Sequence, residues 1–318
     1  MKLSADQIRI QINKTMPPGS VVPVHTNKGH FYKIMTPDKN GVVGNVYPSV
    51  TGKIQILKDE GLINYKKNRV IDYVFAHYKE FNEQNIMEQL ASAERVPEDI
   101  LTDAGDIGTD IHDARERYFR NWIETGVRPS NTLDFIPPEN PDVRMKSALR
   151  ALQSFVLGHQ YVPIATELFV YSHQLKVAGT LDDLGLMKRV INEGDRGCEH
   201  EIITEPRKNR YVCLKCDYKF KIQFVLCDIK TSNQFKDHYF FQVALYYTMF
   251  YKLTELRPER CFILKLSKED GTYKIEDLER PSTLSSYARS MVRTQNGIQY
   301  IKSIRKDNQK VVGEMLQL

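Results

Sequence analysis

Residues 224–232 read FVLCDIKTS, an aspartate, one apolar residue and a lysine set directly after a run suited to burial. Three apolar residues followed by alternation predict a strand entering a core, and in a strand positions i and i+2 project to the same face. Asp228 and Lys230 then lie together, about 7 Å apart along the chain. Burying a carboxylate and an ammonium costs several kcal/mol each unless they pair or a metal intervenes. On these residues alone the tripeptide is either an ion pair at a strand end or half of a site.

A second acid stands upstream. The stretch 175–185, LKVAGTLDDLG, predicts a strand in which Asp182 shares a face with Leu184 and Asp183 points the other way, so Asp182 is the preferred member of the pair. Gly179 lets another backbone or a ligand come close. If the two strands are neighbours, Asp182 and Asp228 converge with Lys230 beside them. Two acids and a lysine at one sheet edge suit a hard divalent cation bearing a water.

The surrounding pattern supplies the strands. After Pro163 the apolar period is two, in IATELFVYS (164–172), in the stretch above and in KIQFVLCDIK (221–230); a helix, HYFFQVALYYTMFYKL (238–253), and a further strand, CFILKLS (261–267), follow. This predicts an α/β fold, a mixed sheet flanked by helices, over residues 161–280, interrupted by a charged insertion at 190–221 between two neighbouring strands. Residues 1–47 predict a short helix, with Ser4 and Gln7 spaced as a capping box, and a β-hairpin turning at PDKNG (37–41). Residues 48–160 read as helical: one helix stopping near Gly61, then helices over 63–78, 83–94, 107–125 and 141–158, separated by Pro/Asp/Asn-rich joints. The segment 281–318 is basic: from Arg280 to the end there are seven Lys or Arg against Asp307 and Glu314, which makes it either a solvated tail or a phosphate-contacting one.

Bulk properties bound the function classes. At 318 residues, 41% hydrophobic and 27% charged, the chain is that of an ordinary globular protein with a substantial core. No apolar run approaches the roughly 20 residues needed to cross a bilayer. The N-terminus, MKLSADQIRIQINK, lacks the apolar segment of a secretory signal, so no membrane partner and a cytoplasmic location are expected. A formal charge of +5 is compatible with a polyanionic partner. Three of the five cysteines crowd into residues 198–216, CEHEIITEPRKNRYVCLKC, a C-x-H-x12-C-x2-C spacing. Cys198, His200, Cys213 and Cys216 predict a closed, structural tetrahedral Zn²⁺ site that folds an insertion too small for its own core. Cys227 and Cys261 sit in apolar strands and read as core residues.

In order along the chain stand GTDIH (108–112), Glu167, GTLD (179–182), DIK (228–230) and QVALY (242–246). This series resembles the PD-(D/E)XK nucleases of the RecB-type branch, and the stretch 47–74 is similar to phage exonucleases and the mitochondrial genome maintenance exonuclease group. The resemblance implies a restriction-endonuclease-like fold and a catalytic Mg²⁺ or Mn²⁺. It implies that His112, Asp182 and Asp228 ligate the metal and that Lys230 orients or deprotonates the attacking water. Glu167 is a further ligand or an ion-pair partner. Gln242 and Tyr246, four apart on a helix, share a face, and the resemblance places them beside the catalytic lysine and the DNA. An iron–sulfur cluster occurs in some relatives, where cysteines flank the core from both ends, an arrangement absent here.

Ser49 and Thr51 either cap a helix or present hydroxyls to a phosphate. Tyr65, Lys66 and Arg69, with Lys67 and Tyr73, suit backbone neutralisation and base stacking, or a solvated helix face. The expected activity is exonucleolytic hydrolysis of linear or single-stranded DNA in phage DNA replication, recombination or repair, with DNA and other replication or recombination proteins as partners, in the cytoplasm of a bacterial or phage-infected host cell. An endonuclease or junction resolvase, or an inactive binding module on the same fold, is the alternative.

Overall fold

A computed structural model describes residues 4–26, 29–54, 60–138, 142–190, 202–205, 210–213, 219–232 and 234–315. Its centre is a mixed sheet in the order β10-β9-β8-β5-β4. These strands are β4 (Val162–Ser172), β5 (Val177–Val190), β8 (Lys219–Lys230), β9 (Arg260–Leu266) and β10 (Tyr273–Asp277). All four strands read from the apolar periodicity are present; β10 is additional, and its half-exposed alternation carries a weaker signal. Neighbours are antiparallel except β8 and β9, which run parallel. Parallel neighbours need a crossover, and α6 (Asp237–Thr254) supplies it.

The pleat of β8 sorts its side chains into two cores. Phe224 and Leu226 face α6, α1 (Ala5–Thr15) and α2 (Val50–Ile54). Val225, Cys227 and Ile229 face α4 (Ile86–Thr125) and α5 (Val143–Gly158). With both faces covered, β8 reads as a continuous apolar run, and the charges at its end are therefore conspicuous. Within the insertion, β6 (Ile202–Glu205) and β7 (Arg210–Cys213) form a hairpin whose second strand extends the sheet along β8.

At the N-terminus the capping box is formed: Gln7 N–H donates to Ser4 Oγ at 3.2 Å and Ser4 N–H to Gln7 Oε1 at 2.8 Å. The expected hairpin is a three-stranded antiparallel sheet of β1 (Val21–Thr26), β2 (Gly29–Ile34) and β3 (Asn45–Pro48). β1 escapes the sequence reading because Pro23 lies inside it, which an edge strand tolerates.

Two helix boundaries differ from expectation. Gly61 does not end a helix; it lies inside α3 (Glu60–His77). The break expected between residues 94 and 107 is absent, and α4 runs unbroken for 40 residues with Pro97 inside it. The reason is a single buried stripe that passes through Ala93 and Pro97, then Ile107, Ile111, Ala114 and Tyr118, so tertiary burial outweighs the backbone bond that proline removes. The N-terminal half of α4 is held by α3 in an antiparallel helical arm. Lys66 Nζ lies 2.5 Å from Glu98 Oε1, and Tyr73 donates to Gln89 Oε1 at 3.1 Å.

The basic C-terminal segment is a helix, α7 (Pro281–Met315), whose first turns belong to the core. Ala288 and Val292 are buried, and Ser285 donates to the Ala244 carbonyl at 2.8 Å. Among the described residues no helix is long and apolar enough to cross a membrane.

One glycine in β5 is fixed by packing. A Cβ at Gly185 would lie 2.3 Å from the ring of Tyr161, which is itself fully buried. Gly185→Ala should therefore cost about 1–3 kcal/mol through overpacking, measurable as a lowered denaturant midpoint with unchanged slope.

Candidate active site

β5 and β8 pair with Asp183 opposite Cys227, so the residues one step on, Asp182 and Asp228, share the face that looks towards α6. The Ile229 N–H donates to Asp182 Oδ2 at 2.6 Å, which fixes that carboxylate against β8. Asp228 is fully buried, and Lys230 Nζ stands 2.7 Å from its Oδ2. Asp228 Oδ1 is buried and accepts no hydrogen bond among the described residues. The D-x-K pair therefore exists as the strand period predicts, with unspent acceptor capacity on the acid.

The GTDIH segment lies in the second half of α4. Gly108 lets the helix approach the end of β8, since a Cβ there would stand 3.2 Å from Thr231 Oγ1. That approach brings His112 into a group with Glu167 and Asp182, whose ligand atoms lie within 4.8 Å of one another. Glu167 reaches the group through an irregular backbone: its φ of 49° is left-handed, which is strained for a side-chain-bearing residue in a strand. The group that converges most tightly is thus His112, Glu167 and Asp182. Asp228 lies beside it, engaged with Lys230, rather than in it.

Arg115, which the sequence reading did not single out, organises the acids. It has no exposed side-chain surface and lies one turn after His112 on α4, an i, i+3 spacing that was visible in the sequence. Its Nη1 donates to Asp183 Oδ2 at 2.7 Å and to the Asp182 carbonyl at 3.0 Å, and its Nη2 donates to Glu167. Asp183, set aside as pointing the wrong way, does point away from Asp182; its role is to hold Arg115. Glu167 fits both readings made of it, because it pairs with Arg115 and also joins the candidate ligand group.

Burial and neighbouring charge set distinct protonation states. Burial, aided by the positive charges of Arg115 and Lys230, lowers His112 to about 4, so its imidazole is neutral at neutral pH and able to ligate. Burial works to raise Asp182, but Lys230, His112 and Arg115 and the Ile229 N–H together hold it below the ordinary range. Asp228 is pushed up to about 7 by burial and by Asp182, against the pull of Lys230. Glu167 rises to about 7 by burial and by Asp182, against Arg115. Burial lowers Lys230, yet Asp228 and Asp182 outweigh it and raise the ammonium above its usual value. Acids driven apart in this way around a neutral imidazole mark a candidate reactive centre, and a divalent cation would relieve their mutual repulsion. The donor set, one imidazole nitrogen and carboxylate oxygens with an orphaned acceptor alongside, fits a Mg²⁺ or Mn²⁺ ion.

α6 closes the site. Gln242 Nε2 donates to Tyr246 Oη at 3.1 Å, and Tyr246 packs so closely on Gly179 that a Cβ there would lie 2.8 Å from its ring. Lys230 Nζ also stands 5.2 Å over the Tyr239 ring, an aromatic contact the sequence reading missed.

Other candidates lie elsewhere. Tyr65, Lys66 and Arg69 are on α3, away from the acids. Lys66 pairs with Glu98, while Arg69 pairs with Asp72 at 2.7 Å and stands 5.4 Å over Tyr65. Two of these cations are thus already engaged within the helical arm. Ser49 Oγ accepts the Gly52 N–H at 3.0 Å, which satisfies the capping reading, and both Ser49 and Thr51 line a cavity. Of the four expected zinc ligands, Cys198, His200 and Cys216 lie outside the described residues; Cys213 is buried at the end of β7.

Comparisons with known proteins add little. No family model matches the chain, and no curated protein matches it. Among solved structures, that of the protein SSO0001 aligns over 58% of this chain and 74% of its own, at 15% identity and a TM-score of 0.22, a likeness that carries no argument.

Proposed function

We propose that this chain is a divalent-metal-dependent nuclease of the PD-(D/E)XK kind, on a restriction-endonuclease-like sheet, acting as an exonuclease on linear or single-stranded DNA. The observation that carries the reading is the meeting of His112, Glu167 and Asp182 within 4.8 Å, with the Asp228–Lys230 pair at 2.7 Å on the adjoining strand. His112 and Asp182, with Glu167 or Asp228, hold the cation. When bound, it supplies Lewis-acid polarisation of the scissile phosphate and lowers the pKa of a water.

The chain's own groups do the rest. Asp182 stays ionised and so remains an anionic ligand. Lys230 keeps its proton at neutral pH, so it donates a hydrogen bond to the attacking water and sets positive charge where negative charge grows on the phosphate. Arg115 positions Glu167 and does not face the substrate. Gln242 and Tyr246 wall the site from α6 and fix the space in which the strand end lies.

The test incubates the full chain with end-labelled linear DNA and with closed circular DNA, in Mg²⁺, Mn²⁺ or EDTA. Loss of linear DNA in either metal, with none in EDTA and an intact circle, is expected. Nicking of the circle would instead assign an endonuclease or resolvase, and no cleavage in any metal would leave a nucleic-acid-binding module.

A further inference from the structure

A second polar site lies behind the acids. Lys53, in α2, is only 3% exposed, and its ammonium has one partner among the described residues, Gln299 Oε1 of α7 at 2.5 Å. It borders a half-open cleft of about 940 Å³ between β2, β3, α2 and α7, which Ser49, Thr51, Lys176 and Asn296 also line. No described residue lining that cavity is a carboxylate. A buried ammonium with only an amide oxygen for company costs several kcal/mol, and a fold that keeps one against an open cavity is complementary to an anion. Burial alone depresses this lysine's pKa, and an anion beside it would restore the charge.

We infer that this cavity takes a phosphate group, held by the Lys53 ammonium and flanked by Gln299 and Ser49. The cavity is coupled in space to the acids: Ser49 bridges to Ala178 of β5, and Asp182 is four residues further along that strand, about 13 Å away. A nucleic-acid strand with one phosphate at Lys53 would run along β5 towards the acids. The inference rests on the nuclease reading only for the source of the phosphate.

The test is calorimetric, on the full chain in EDTA, so that cleavage plays no part. The probes are inorganic phosphate and short single-stranded oligonucleotides carrying a 5′-phosphate, a 3′-phosphate or hydroxyls at both ends. Wild type should bind inorganic phosphate saturably. Lys53→Met should weaken phosphate and oligonucleotide binding at least about tenfold and reduce the salt slope for oligonucleotides by about 0.7. Gln299→Glu, at an exposed position of α7, places an internal carboxylate on Lys53. It should weaken binding as much while preserving or raising the melting temperature, which separates loss of the site from loss of the fold. Preference for one phosphorylated end assigns the site to a strand terminus, and equal binding of all three oligonucleotides assigns it to an internal phosphodiester. Phosphate and oligonucleotide affinities unchanged in both variants would overturn the inference. Absence of cleavage with intact phosphate binding would sink the nuclease reading alone.

Discussion

Lys230→Ala is expected to lower the metal-dependent cleavage rate by about 10²–10⁴-fold while DNA affinity stays within a few-fold of wild type. The asymmetry follows from where the lysine sits. It is one ammonium, 17% exposed, aimed at Asp228 and not spread along a groove, so it contributes little to the many phosphate contacts that set affinity. The fold should survive the change, because Asp228 already titrates at about 7 and can shed its buried charge by taking a proton. Single-turnover cleavage of end-labelled DNA, alongside a mobility shift without metal, reads both quantities. A variant that cuts at the wild-type rate would show that the chemistry is elsewhere.

The second large effect is on stability. Arg115→Met should destabilise the fold by about 3–5 kcal/mol, because it strands two carboxyls that depend on one buried guanidinium. Asp183 is 1% exposed, and burial holds it at about 7 even with Arg115 in contact. Removing the positive charge raises Asp183 and Glu167 further. An acid whose folded pKa exceeds its unfolded value loses stability as the pH rises from the unfolded value through the folded one. The deficit of the variant should therefore shrink as pH falls from about 8 to about 5, where both acids take up protons. Denaturant unfolding of the two proteins across that range checks the size and the sign together. An equal deficit at both ends would mean that lost packing, not lost charge, is the cause.

These two residues divide what was legible in the sequence from what was not. Lys230 was legible because its evidence is local: a strand period of two puts it on the face of Asp228, and the apolar run before it announces burial. Arg115 was hidden because its partners are remote, Asp183 lying 68 residues away and Glu167 lying 52 away. An arginine among many on a helix carries no sign that it will be the fully buried one. The i, i+3 relation to His112 was the single clue, and it acquires meaning only once the sheet is known.

The same division runs through the fold. Repetition of apolar residues within a short window fixed β4, β5, β8, α6 and β9, since each element's period is a property of its own residues. The continuity of α4 was decided by burial of Pro97 and Ala93 against neighbours, and β1 by the edge position that tolerates Pro23. By itself the chain determined which residues are apolar, how they recur and which charges interrupt them. Only the tertiary structure decided which of those charges meet a partner: Glu167 turned through a left-handed backbone onto Arg115, and Lys53 left facing a cavity with one amide. The physical reason is that the cost of a buried charge depends on groups brought near by folding, whose distance in sequence sets no limit on their distance in space.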